Sequence, residues 1–184
     1  MKGIVFNLLG DMVEEKFGLE AWDGLLDAVG SDGVFVATDT YPDQALLDLV
    51  AAASQATGIP AADLVRAFGE YMAPAFAAKY PVFFENQKSL KDFLLTVDQV
   101  IHVEVRKLYP DAGVPEFVYN DTDSNKLTMI YKSPRKLCAL AEGLIQGSAA
   151  WFGETCHIQH DVCMHNGADH CELVLTFNQA VKAA

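Results

Sequence analysis

Apolar residues recur at helical spacing through most of the chain and then switch to alternation. The clearest helical stripe is Leu90, Phe93, Leu94, Val97, Ile101, Val105 and Leu108, which fall at three- and four-residue steps on one face. Ser89 suits the N-cap and Pro110 the stop, so the spacing predicts one helix from Ser89 to Tyr109. His102 lies in it, on a flank shared with Asp98, Val105 and Tyr109, and is the only histidine in the first 156 residues.

Earlier segments read as helices too. Ile4, Val5, Leu8, Leu9, Met12 and Val13 form an amphipathic face that Gly18 can close. Trp22, Leu25, Leu26 and Val29 make a shorter helix ending at Gly30, and Val34 to Val36 is brief and extended at most. Pro42 opens a helix running to Thr57, and Pro60 opens another through Met72 in which Pro74 predicts a kink or break. Pro81 and the Phe83–Phe84 pair lead into the His102 helix.

Past Pro110 the pattern changes. Phe117 to Tyr119 and Lys126 to Tyr131 read as strands around a turn at Asp121–Asn125. Leu137 to Phe152 is helical. Thr155–Cys163 and Cys171–Phe177 predict a hairpin around Asn166–Gly167, with Cys171, Leu173, Leu175 and Phe177 alternating cleanly. The whole is an α+β fold in a single domain, 1–184: a helical N-terminal lobe over about 1–65, and a lobe at 66–184 with an antiparallel sheet and packed helices.

Composition narrows the function classes. Half of the 184 residues are apolar and a fifth charged, which is globular. A formal net charge of −12 opposes nucleic acid and anionic membrane surfaces. There is no apolar run long enough to insert in a membrane, and the N-terminus carries no signal-peptide pattern, so the cytoplasm is the expectation.

Two constellations carry chemistry. Tyr131, Ser133 and Arg135 stand two apart, so an extended backbone turns all three to one side, and Pro134 keeps Ser133 out of the helical region. Two hydroxyls and a guanidinium fork suit carboxylates. All four cysteines fall between positions 138 and 171, interleaved with histidines. Cys138, His160, Cys163 and Cys171 make a closed tetrahedral zinc set, with Cys156, His157, His165 and His170 as competitors for the fourth place.

The Tyr-x-Ser-x-Arg spacing, with the lone upstream His102 in its helix, resembles the H-NOX family of haem nitric oxide/oxygen binding domains. The likeness runs from the Met-Lys-Gly-Ile start to the final hairpin. It implies a b-type ferrous haem between the two lobes, with His102 as its iron ligand and Tyr131, Ser133 and Arg135 on its propionates. Pro115 would press on the porphyrin, and Val5, Leu9, Leu140 and Leu144 would wall its other side. A zinc-bearing subgroup of the family has the Cys138, His160, Cys163, Cys171 pattern.

Oxygen-binding members of the family place a tyrosine where this chain has Leu140, supported by polar side chains where it has Leu9 and Pro74. Bound oxygen gains most from such a donor, and none of the three can donate. The resemblance therefore implies a sensor of nitric oxide, binding carbon monoxide also, rather than of oxygen. Nitric oxide would break the bond from iron to His102, and the shape change would act on a histidine kinase or a cyclic-di-GMP enzyme. No catalytic constellation is visible, and the apolar wall opposes a peroxidase. The alternative is a haem-free small-molecule-binding module of the 4-vinyl-reductase-like type with a structural zinc, which would need neither His102 nor the Tyr131–Arg135 set.

Overall fold

Glycine punctuation shapes the N-terminal end. In a computed structural model that describes residues 1–178, α1 (Gly3–Phe17) stops at Gly18 and α2 (Leu19–Val29) at Gly30, whose φ of 66° is left-handed. The Val34–Val36 segment forms no strand. Phe35 instead stacks on Phe6 at 4.5 Å, while Val34 and Val36 face solvent. α3 (Asp43–Thr57) follows Pro42 and α4 (Ala61–Lys79) follows Pro60.

Pro74 does not break α4, which runs through it. The proline lacks the N–H that the Glu70 carbonyl would accept. That carbonyl lies instead against Gly147 of α8 (Cys138–Phe152), 2.5 Å from where a Cβ would sit. The absent side chain at Gly147 lets the two helix backbones close over the freed oxygen. Gly69 of α4 and Gly143 of α8 make the same close approach from either side.

The helix predicted from Ser89 to Tyr109 is present but divided. After the short α5 (Pro81–Glu85) come α6 (Leu90–Thr96), a π-helical turn (Val97–Ile101) and α7 (His102–Leu108). Ser89 caps it as expected, its hydroxyl accepting the Asp92 N–H at 3.1 Å. Leu90, Phe93 and Leu94 are buried, whereas no residue from Val97 to Leu108 is fully covered.

Four antiparallel strands make one sheet in the order β1 (Glu116–Asp123), β2 (Lys126–Lys132), β4 (Cys171–Asn178), β3 (Thr155–Gln159). β1 outruns its prediction and turns only at Ser124–Asn125, and β3 ends sooner, leaving 160–170 as a loop with a 3-10 turn at Met164–Asn166. The alternation in β4 holds, with Cys171, Leu173, Leu175 and Phe177 all buried.

The buried side chains form two cores. One gathers Val5, Leu9, Trp22, Leu49, Phe68 and Met72 from α1 to α4. The other packs Phe84, Leu90, Phe93 and Ile145 onto Leu127, Met129, Leu173 and Leu175 of the sheet. α4 serves both, through Phe68 and Met72 to the first and Ala77 to the second, and Phe76 packs against each. Among the described residues no single helix is long and apolar enough to cross a membrane.

Candidate functional site

His102 is the first residue of α7, set directly after the π turn. Its side chain is 13% exposed, and its Nδ1 lies 3.4 Å from Asp98 Oδ1. Burial pulls its pKa below the usual value, against the Asp98 carboxylate and the Pro115 backbone, which both push it up. The imidazole is thus held neutral, and the tautomer that donates Nδ1–H to Asp98 keeps a lone pair on Nε2. Phe117 on β1 stacks along the ring, centroids 5.9 Å apart and planes 24° from parallel.

Tyr131 and Ser133 stand at a turn rather than in an extended run, and the Arg135 guanidinium leaves that turn toward Asp43 and Gly113. β2 ends at Lys132, and the Lys136 N–H then donates to the Ser133 carbonyl at 3.1 Å. Pro134 occupies the second position of that turn, where its fixed φ fits. Ser133 is buried, and its hydroxyl accepts the Arg135 N–H at 3.3 Å, while the Tyr131 hydroxyl accepts the Leu137 N–H at 3.0 Å. The Arg135 guanidinium reaches Asp43 Oδ2 of α3 at 2.6 Å and also donates to the Gly113 carbonyl. Asp43 takes the Met1 ammonium as well, at 2.7 Å. Desolvation acts to raise the Asp43 pKa, but the two cations together hold it below the ordinary carboxylate value.

Phe117 joins the two groups. Its ring lies 5.6 Å from that of Tyr131, its partner in the β1–β2 register, and 5.9 Å from that of His102. On the N-terminal side Val5 and Leu9 are buried in the core to which Leu140 and Leu144 add half-buried side chains. These four share one core, whereas Pro74 is exposed and lines an outer groove with Gln146, Gly147 and Trp151. Ile4, Leu8, Leu140 and Leu144 against the first core, and Val97, Ile101 and Phe117 against the second, stay only half-covered, with Phe76 against both. A neutral imidazole, half-covered apolar side chains, two hydroxyls and a guanidinium are the donor set that a porphyrin with carboxylate arms requires.

The second constellation is well defined. Cys138, His160, Cys163 and Cys171 offer ligand atoms that all lie within 4.8 Å of one another. Cys163 Sγ is 3.9 Å from both Cys138 Sγ and Cys171 Sγ. Thiolates 2.3 Å from a tetrahedral zinc would be about 3.8 Å apart. Burial first, then the neighbouring thiols, push Cys138 up to about 12, and a bound cation would favour its thiolate. Among the described residues His160 Nε2 is buried with no hydrogen-bond partner. The competitors lie apart: Cys156 and His157 are in β3, His165 meets the Lys136 carbonyl, and His170 meets Asp169 and Glu172.

Sequence reasoning missed several supporting residues, Asp43 and Arg66 among them. Glu142, buried on α8, binds His160 Nδ1 through one oxygen and Arg66 Nε of α4 through the other, at 2.8 Å. Its place one turn after Cys138 on the same helix face is a signal that could have found it. Phe117 and Tyr119 line the His102 helix, and only the register of β1 tells which of its faces they share.

A family model described as Haem-NO-binding matches residues 2–160. The chain is similar to an H-NOX protein from S. oneidensis solved in the Fe(II)NO ligation state, at 35% identity and a TM-score of 0.92 over 97% of this chain and 100% of that one. It is also similar to the Fe(II) unliganded H-NOX protein from K. algicida, at 32% identity and a TM-score of 0.90 over 100% of both chains. Soluble guanylate cyclase 89Db of Drosophila melanogaster is 25% identical over 143 residues, 73% of this chain and 20% of that protein. The chain therefore spans about a fifth of that relative's length.

Proposed function

The chain belongs to the haem-NO-binding family, and from that premise we propose that it is a haem-based nitric oxide sensor acting on a separate signalling protein. The observation that carries this reading is His102, mostly covered and neutral directly after the π turn of its helix, within one aromatic ring of Tyr131. Haem b, when bound in the ferrous state, supplies the iron that captures a diatomic gas. His102 would ligate that iron through Nε2, and Asp98 would fix the tautomer. Arg135, with the Tyr131 and Ser133 hydroxyls, would hold the propionates, and Pro115 would lie against the macrocycle.

Selectivity follows from side chains without donors. Val5, Leu9, Leu140 and Leu144 offer gas only apolar surface, which favours nitric oxide and carbon monoxide over oxygen. Nitric oxide would release His102 from iron, freeing the helix it begins, and the movement would pass to a histidine kinase or a cyclic-di-GMP enzyme in the cytoplasm. The chain itself is read as a sensor without catalysis of its own. Zinc at Cys138, His160, Cys163 and Cys171 would tie α8 to the β3–β4 connection.

The test is an absorption spectrum of the reduced protein in air and then with nitric oxide. A five-coordinate ferrous haem that persists in air, turning into a five-coordinate nitric oxide form, is expected. A nitric oxide form that stays six-coordinate overturns the release of His102. His102→Gly should lose haem unless imidazole is supplied.

A further inference from the structure

The helix carrying His102 widens into a π turn at Val97–Ile101, where the His102 N–H bonds back to the Val97 carbonyl, five residues earlier. Such a turn holds one residue more than the α ladder allows. Closing it to α would carry His102 about 100° around the axis, one residue's step. The wide turn therefore sets which way the imidazole faces. A side chain that enters the helical ladder disturbs its regular bonding. One does so in this turn: the Asp98 backbone N–H donates to the hydroxyl of Tyr119, at 3.3 Å, from the neighbouring strand β1.

We propose that Tyr119 is the positioning residue of the His102 helix, its hydroxyl accepting the Asp98 N–H and so holding the π turn that aims the imidazole. Asp98 is the hinge of the arrangement. Its backbone is held by Tyr119, while its carboxylate reaches His102 Nδ1 at 3.4 Å and Arg106 at 3.7 Å. Tyr119 is itself set by Phe117, two residues earlier on the same strand face, whose ring it stacks on at 6.3 Å and which stacks in turn on His102. Burial pushes the Tyr119 phenol up to about 12, so it stays a neutral hydroxyl across physiological pH. The inference rests on the proposed role of His102 for its consequence at iron, but not for its effect on the helix.

The experiment uses the full chain with haem, as wild type, Tyr119→Phe and Thr96→Val. Thr96→Val is the control, because it removes another hydroxyl bond of the same helix, to the Phe93 carbonyl at 2.7 Å, outside the π turn. Hydrogen exchange resolved at the Asp98 amide should quicken roughly tenfold in Tyr119→Phe, the loss of one hydrogen bond's protection. Resonance Raman of the reduced protein should show a shifted iron–histidine stretch in Tyr119→Phe and an unshifted one in Thr96→Val. Unchanged exchange at Asp98 in Tyr119→Phe overturns the proposal, as do equal Raman shifts in both variants. Failure of the wild type to take up haem would instead overturn the haem reading, and the exchange arm, run on the haem-free chain, would still decide the role of Tyr119.

Discussion

His160 is held from behind by Glu142: its Nδ1 meets the Glu142 carboxylate, while its Nε2 lies buried and unpartnered among three thiols. A carboxylate behind a histidine fixes the tautomer and raises the basicity of the outer nitrogen, and removal of such a partner weakens metal binding about 10–100-fold. Glu142→Ala should therefore lower zinc affinity by about that range. Glu142→Gln, which can still accept from Nδ1–H, should fall between it and wild type. Competition with a chromophoric chelator measures both, and wild-type affinity in Glu142→Ala would leave Glu142 without this role.

Leu140 is half-buried against the core that holds Val5 and Leu9, and it offers no donor. Leu140→Tyr should give the reduced protein an affinity for oxygen in air that the wild type lacks, because a phenol there can donate to a charged, oxygen-like ligand. Absorption spectra recorded in air and under argon check it. Identical spectra in the two gases would show that a donor at this position is not sufficient.

The helices and the central strand were legible because each writes its period into the sequence. The β4 alternation from Cys171 to Phe177 survives into burial residue by residue. The four zinc-type ligands were legible as well, since thiols and imidazoles are scarce in this chain and these fall close together in its sequence. The π turn was not. Val97 and Ile101 fit an α stripe equally well, and the group that enters the ladder, the Tyr119 hydroxyl, comes from a strand 21 residues on. Arg66 was invisible in the same way, reaching Glu142 from 76 residues away. At Pro74 a correct local rule met a close helix contact at Gly147 that no local window contains.

The loop after α7 is tied to the N-terminal lobe by Asp111, which accepts from the Thr40 hydroxyl and from Lys2 Nζ at 3.0 Å. Thr40 first, then Lys2, holds the Asp111 carboxyl down at about 2. A carboxyl whose folded pKa is depressed contributes stability above the unfolded value of about 3.9 and loses it as pH falls through the folded value. The tie should hold at pH 4 and fade toward pH 2. Titration of the Asp111 carboxyl carbon by NMR should give a midpoint near 2 that rises in Thr40→Val and in Lys2→Met. A midpoint unmoved by either change would mean that the tie is not formed in solution.

Gly143 is where α4 and α8 touch, and it offers the sharpest test of their packing. A Cβ there would collide with the Arg66 backbone carbonyl, and backbone, unlike the end of a side chain, cannot turn aside. In an exposed helix, Gly→Ala is stabilising by up to about 1 kcal/mol. At this crossing the sign must reverse, because the helices have to separate, and overpacking of this kind costs about 1–3 kcal/mol or more. Gly143→Ala should therefore lower the urea midpoint. It should also weaken zinc binding, because Arg66 and Glu142 link the same two helices beside it. Gly153→Ala is no substitute control, since Gly153 has a left-handed φ of 68°. Gly24, inside α2 with nothing within 4 Å of its Cβ position, is the proper comparison. Gly24→Ala should raise the midpoint while Gly143→Ala lowers it, and a shift of the same sign in both would refute the close approach of α4 and α8.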